Sequence, residues 1–168
     1  MITDAAATHP IVVALQQESS SWLVSASIAF DELTIEVLAD RVMHVCRFLR
    51  DERQFNRIST VTAVDRYPAE PRFEVVYHLH SLPLGGRVRV KARVASANPE
   101  LDSVTAVWPG ANWYEREVFD MFGIRFRNHP QLTRILMPEG WLGHPLRRDY
   151  PVHGHRYDYA EPEGGSTL

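Results

Sequence analysis

Residues 112–151 read N-W-Y-E-R-E-V-F-D-M-F-G-I-R-F-R-N-H-P-Q-L-T-R-I-L-M-P-E-G-W-L-G-H-P-L-R-R-D-Y-P, and their reading decides how this chain is built. A short charged helix gives way to an apolar strap, because Pro130, Pro138, Pro145 and Pro151 together with Gly140 and Gly143 forbid any long regular element. A disordered tail is poor in large apolar residues. Here Leu132, Ile135, Leu136, Met137, Trp141, Leu142, Leu146, Tyr150 and Val152 need cover, either from the chain's own domain or from a partner.

Within the helix, Asn112 is placed as N-cap and Glu115 can reach back to the cap's backbone N–H, a capping box. Gly123 supplies a left-handed stop. Tyr114, Val118, Met121 and Phe122 fall at i, i+4, i+7 and i+8 as one apolar stripe, and Arg116 and Asp120 are spaced to pair on the opposite side. The acids Glu115, Glu117 and Asp120 leave two readings open, a solvated face or a face that docks against cationic groups of a partner.

Outward from this stretch, the 168 residues suffice for one domain with one core. Hydrophobic residues at 45% and charged residues at 23% are ordinary for a globular protein, and a formal net charge of -3 argues against a nucleic-acid binder. The uncharged run Ser19 to Phe30 is too short and too serine-rich to span a membrane. The N-terminus lacks a basic segment followed by an apolar core, so no secretion signal is expected. Cys46 is the single cysteine, which cannot ligate an iron-sulfur cluster by itself, and it sits on an apolar helix face as a small hydrophobe. Lys91 is the one lysine against many arginines; genome composition accounts for that bias, as does the fitness of the planar guanidinium for interfaces.

In chain order, Pro10 opens a short helix, Trp22 to Phe30 and Leu33 to Leu38 read as strands joined at Asp31-Glu32, and Asp40 caps a helix running to about Glu52. Val42, Val45, Cys46 and Leu49 are the buried stripe of that helix. Asn56 to Val64 is a strand. Arg72 to His80 and Gly86 to Val94 alternate cleanly as a hairpin pair, with Phe73, Val75, Tyr77, Leu79, Val88, Val90, Ala92 and Val94 inward. Glu74 then lies near Arg93, while Arg87, Arg89 and Lys91 are left mostly unmatched, a stripe that either protects a sheet edge or docks a partner. Asp102 or Ser103 begins a helical turn through Trp108. The fold class is α+β: a mixed, largely antiparallel sheet with helices packed on one face, followed by an extended Pro/Gly-punctuated C-terminal strap. Residues 1–128 form the core of this single domain, and 129–168 an extended docking segment whose end beyond Pro151 is frayed.

A catalytic reading rests on histidines. His78-x-His80 and His153-x-His155 each put two imidazoles at one spacing, and His129 and His144 add candidates, so a free-standing metal hydrolase is the rival class. Both latter histidines precede a proline, which is turn chemistry, and no acidic ligand sits at helical spacing from any histidine. No phosphate-binding glycine loop or nucleophile elbow occurs.

E-R-E-V-F-D-M-F-G-I (Glu115 to Ile124), H-P-Q-L-T-R-I-L (His129 to Leu136) and G-H-P-L-R-R-D-Y-P (Gly143 to Pro151) resemble the signature of the 30 kDa (C) subunit family of proton-pumping NADH-quinone oxidoreductase, respiratory complex I. V-D-R-Y-P (Val64 to Pro68), F-E-V-V-Y-H-L (Phe73 to Leu79) and V-W-P-G-A-N-W-Y (Val107 to Tyr114) extend the resemblance over residues 20–151. Leu142 stands where an acid is expected and Thr133 where a basic residue is. The resemblance implies a subunit without catalytic, cofactor or metal site of its own. It belongs to a complex that passes electrons from NADH through FMN and iron-sulfur clusters to quinone and translocates protons. The implied place is the peripheral arm, beside the D subunit and near the B and I subunits, on the cytoplasmic side of the inner membrane. Equivalent subunits of membrane-bound hydrogenases or of ferredoxin- or F420-linked complexes share parts of the motif. The expected docking residues are Glu115, Arg116, Glu117 and Asp120 on the helix and His129, Arg134, Trp141, His144, Arg147, Arg148, Asp149 and Tyr150 on the strap. Trp141, Arg134, Arg147 and Arg148 are the anchors among them, since Trp and Arg dominate interface energetics.

Overall fold

Period-two alternation along residues 57–94 calls for neighbouring strands with one apolar face, and the computed structural model, which describes residues 1–151, joins them in one sheet. In chain order come α1 (Asp4–Ala7), α2 (Pro10–Ser19), β1 (Leu23–Ala29), β2 (Glu32–Val37) and α3 (Val42–Arg53). Then follow β3 (Arg57–Asp65), β4 (Phe73–His80), β5 (Arg87–Val94), β6 (Glu100–Asp102), α4 (Ala111–Phe122) and β7 (Arg125–Arg127). The main sheet runs β1-β2-β5-β4-β3, with β2 and β5 parallel and every other pair antiparallel. This is the expected mixed, largely antiparallel α+β architecture. Two strands went unforeseen, β6 and β7, which pair in parallel over three residues each.

Val42, Val45, Cys46 and Leu49 of α3 are all fully buried, and they share one core with Val12 and Leu15 of α2, Val118 of α4 and the inward residues of the sheet. Burying each such aliphatic side chain is worth about 1.5–3 kcal/mol. The stripe of α3 alone therefore explains why the helices stay on that face. Burial also pushes the Cys46 thiol far up, so it stays a neutral hydrophobe.

Several local expectations need correction. The β1–β2 turn is centred on Phe30-Asp31, one residue earlier than expected, because both carry positive φ (52° and 58°), as a type I′ hairpin turn demands. Asp40 does not cap α3; a 3-10 turn at Ala39–Arg41 leads into it without any side-chain cap. Because β5 lies in the middle of the sheet, its cations protect no edge. Most of them are matched as well. Glu74 pairs across the strand with Arg93 as expected (3.5 Å), but it also holds Lys91 at 3.1 Å, while Arg93 reaches Glu36 at 3.1 Å and Arg89 pairs with Glu32.

Candidate docking surface

Helix α4 ends at Phe122, and Gly123 turns the chain at φ +72°, with its N–H donating to Phe119 O. An α-helix leaves its last carbonyls without partners inside the helix. Beyond Phe119, each of them is answered by the strap. His144 Nδ1 donates to Asp120 O (2.9 Å), Leu146 N to Met121 O (3.1 Å) and Arg147 Nε to Phe122 O (2.6 Å). A Cβ at position 123 would collide with the His144 ring and the Arg147 guanidinium, so glycine is needed for contact as well as for φ. The motif G-H-P-L-R is thus a C-cap delivered from 24 to 25 residues downstream.

Asp120 is the second fastening. Its side chain is fully buried; Oδ1 accepts from Arg134 Nη1 at 3.0 Å and Oδ2 from the backbone N–H groups of Ile135, Leu136 and Met137 at 3.0, 2.8 and 2.9 Å. Three consecutive amides aimed at one oxygen form an anion nest. Burial alone would raise this carboxyl, but the three amides and Arg134 outweigh it and hold it below its ordinary value. The expected Arg116–Asp120 pair is absent. Arg116 instead donates to Thr133 O and Arg134 O (3.1 and 3.2 Å) and lies over the Trp113 ring at 5.1 Å.

A third fastening joins the strap's end to β3 and β4. Arg72 forks onto Asp65 (Nε–Oδ1 2.9 Å, Nη2–Oδ2 2.7 Å) and onto Asp149 (Nη1–Oδ2 2.9 Å, Nη2–Oδ1 2.7 Å). Its guanidinium also lies against the Tyr67 and Phe73 rings, at 5.0 and 4.9 Å. Asp65 accepts a backbone bond from Arg148 N (2.8 Å), and Arg148 Nη1 donates to Tyr67 O (3.3 Å). The hydrogen bonds from Arg72 depress the Asp65 carboxyl far below its usual range, against the effect of burial, and they depress Asp149 too.

Glu115 does not close a capping box. Gly110 occupies the N-cap without a side-chain bond and Asn112 is already inside the helix. Glu115 points into the core, fully buried, accepting from Ser103 Oγ (2.6 Å) and Val104 N (2.7 Å), and so ties α4 to the segment after β6. Burial pushes its carboxyl up to about 7, although both hydrogen bonds pull the other way. A raised folded-state value makes its stability contribution fully present below the ordinary carboxylate range and lost as pH rises through 7. Stability measured by urea titration is therefore expected to fall between about pH 4.5 and 7, and Glu115→Gln to flatten that fall. Equal slopes in both proteins would overturn the assignment.

The His129 ring is also buried: Nδ1 accepts from Gln131 N (3.0 Å) and Nε2 faces Asn112 O (3.3 Å), the neutral tautomer, in line with the downward shift that burial imposes. Trp141 and Tyr150 are half-buried, and Glu117 is exposed. His153 and His155 lie outside the described residues. Among the described residues no group of three or more His, Cys, Asp or Glu is placed to hold a metal ion.

Arg134, His144, Arg147 and the amides of residues 135–137 are turned onto α4 and Leu132 and Met137 pack against the core, while Leu136, Leu142 and Leu146 are 50–56% exposed and Trp113 on α4 is 62% exposed. Trp113 escapes sequence reasoning because it lies off the helix's apolar stripe. That same off-phase position is the available signal. Arg72 and Asp65 escape it because nothing local marks a contact 77 residues away with Asp149.

The α+β domain clamps the strap with its own charges, and the relatives of this chain are named as subunits of a larger enzyme. The pattern of the family described as "Respiratory-chain NADH dehydrogenase, 30 Kd subunit" matches residues 35–156. The C subunit of NADH-quinone oxidoreductase from Citrifermentans bemidjiense is 47% identical over 143 residues, 85% of this chain and 89% of that one. Its counterpart from Geobacter sulfurreducens is 45% identical over 144 residues, with the same shares. Among solved structures, the trypsin-resistant fragment of Nqo5 superposes with a TM-score of 0.63 at 30% identity, covering 71% of this chain and 97% of that one. A chain of the membrane-bound sulfane sulfur reductase, an archaeal respiratory membrane complex, superposes with a TM-score of 0.66 at 27% identity over 84% of each. The chain belongs to the 30 kDa subunit family of respiratory-chain NADH dehydrogenase, and other subunits of that complex are its partners.

Proposed function

We propose that this chain is a non-catalytic scaffold of the peripheral arm of a proton-translocating NADH-quinone oxidoreductase. FMN and the iron-sulfur clusters sit in partner subunits, and the complex holds the chain on the cytoplasmic side of the inner membrane. Residues 1–128 are the core, and the segment from 129 onward is the docking element, laid chiefly against the D subunit with the B and I subunits nearby. The observation that carries this reading is a strap that is fastened to α4 and β3 by hydrogen bonds and still leaves Leu136, Leu142 and Leu146 exposed. Among the described residues no helix is long and apolar enough to cross a membrane. A second reading, the equivalent subunit of a related membrane-bound respiratory complex, is favoured by the likeness to the sulfane sulfur reductase chain. The paired-histidine hydrolase has no comparable support.

Trp113, exposed and braced by Arg116, is the cleanest probe because it adds little to the chain's own core. Trp113→Ala is expected to weaken retention of the subunit in the purified complex by about 2–4 kcal/mol, with the chain's own unfolding midpoint unchanged. Full retention, or equal loss of stability in the isolated chain, overturns the reading. Mass spectrometry of the chains that copurify decides between the two complexes.

A further inference from the structure

The outer face of the main sheet is divided. Toward one end, Glu74 and Glu36 satisfy Lys91, Arg93 and Arg66. At the other end Arg57, His80 and Arg87 are direct cross-strand neighbours on β3, β4 and β5, all on the same face, and among the described residues none of their side chains has a hydrogen bond or ion pair. Neighbouring strands lie about 4.8 Å apart, so the two arginines flank the imidazole within roughly 10 Å. In the next row His78 stands opposite Arg89, and the one acid there, Glu32, is already engaged by Arg89. Arg57, His78, His80 and Arg87 line a shallow concavity with Ser59, Thr60 and Glu32, whose carboxylate also lies 3.9 Å from His78. The register shift between Ile58 and Thr60 makes Ser59 the extra residue of a bulge beside it, on the sheet's edge strand.

We infer that the Arg57–His80–Arg87 row is a second docking surface, separate from the strap, that receives an acidic segment of a neighbouring subunit. Among the described residues Arg57, His80 and Arg87 have no carboxylate paired to them, because the Glu32 that shares their concavity is taken by Arg89, and they fit a segment presenting two or more carboxylates. A bidentate arginine pair needs just such a planar acceptor. Neutralised on one half and bare on the other, the face has the charge asymmetry of an interface with a fixed register. The inference rests on the chain's being a subunit of a larger complex, but not on what the strap contacts.

The test uses the intact purified complex. Arg57→Lys and Arg87→Lys keep the charge and supply an amine that a zero-length carbodiimide joins to a touching carboxylate. The expected result is an amide between position 57 or 87 and an Asp or Glu of another subunit, and a charge-reversed Arg57→Glu/Arg87→Glu chain retained about tenfold less in moderate salt. Coupling only to the chain's own Glu32, or free labelling of both amines in the assembled complex, overturns the inference while leaving the strap reading intact. Protection of the amines by inorganic phosphate alone would show a free oxyanion site and overturn it as well. A chain that fails to copurify with any complex would overturn both.

Discussion

Asp120→Ala is expected to lower the unfolding free energy by about 3–5 kcal/mol, the range for removing one partner of a buried ion pair. The substitution strips Arg134 of its carboxylate and leaves the amides of Ile135, Leu136 and Met137 without their acceptor. Amide hydrogen exchange at those three positions is the direct readout and should accelerate more than that of the sheet. The acid response carries a sign. Because the folded carboxyl is held below its ordinary value, its contribution is present above the usual carboxylate range and lost as pH falls through the folded value. The natural chain should therefore loosen at residues 135–137 in acid, and Asp120→Ala should show no such transition. Unchanged exchange at the three amides would show that they are held by something else.

How much of this was legible beforehand follows from where the partners sit. The stripe of α3 and the alternation of β4 and β5 are local patterns, and each residue expected inward is buried there. Even the Glu74–Arg93 neighbourhood followed from hairpin register. The strap's existence was legible from its prolines and its surplus of apolar residues. Its internal bonding was not. Glu115 and Asp120 look like surface acids because helical spacing reports only neighbours three or four residues away, whereas their acceptors are filled by the amides of Val104 and of residues 135–137. Carboxylate-to-amide bonds leave no trace in the partner's residue type. The same limit hid β6 and β7, whose three-residue length is too short to show a period. It also hid the parallel β2–β5 pairing, which needs the crossover through α3, β3 and β4.

The opposite end of the strap is held by Arg72, and Arg72→Ala is expected to cost a comparable 3–5 kcal/mol, roughly, by leaving the buried Asp65 charge with backbone donors alone. Arg72→Lys should recover little of this. An ammonium is a point charge that cannot fork onto two carboxylates at once or lie flat between Tyr67 and Phe73. Asp149→Asn should cost less, about 1 kcal/mol at most, since that carboxylate is 46% exposed. The two fastenings are separate in space along the strap, so their failures should be separable too. Asp65→Ala, which removes the acceptor of the Arg148 amide, should free that amide while those of residues 135–137 stay protected, and Asp120→Ala should do the converse. If both variants instead release residues 132–150 together, the strap is a single cooperative unit and the description of independent fastenings fails. Subunit retention in the complex adds the functional readout. Without the Arg72 fork the Asp149 end of the strap keeps its bonds to the α4 carbonyls and those of Arg148 to Asp65 and Tyr67 but loses its ion pair, so Arg72→Ala should weaken assembly even where the isolated domain remains folded.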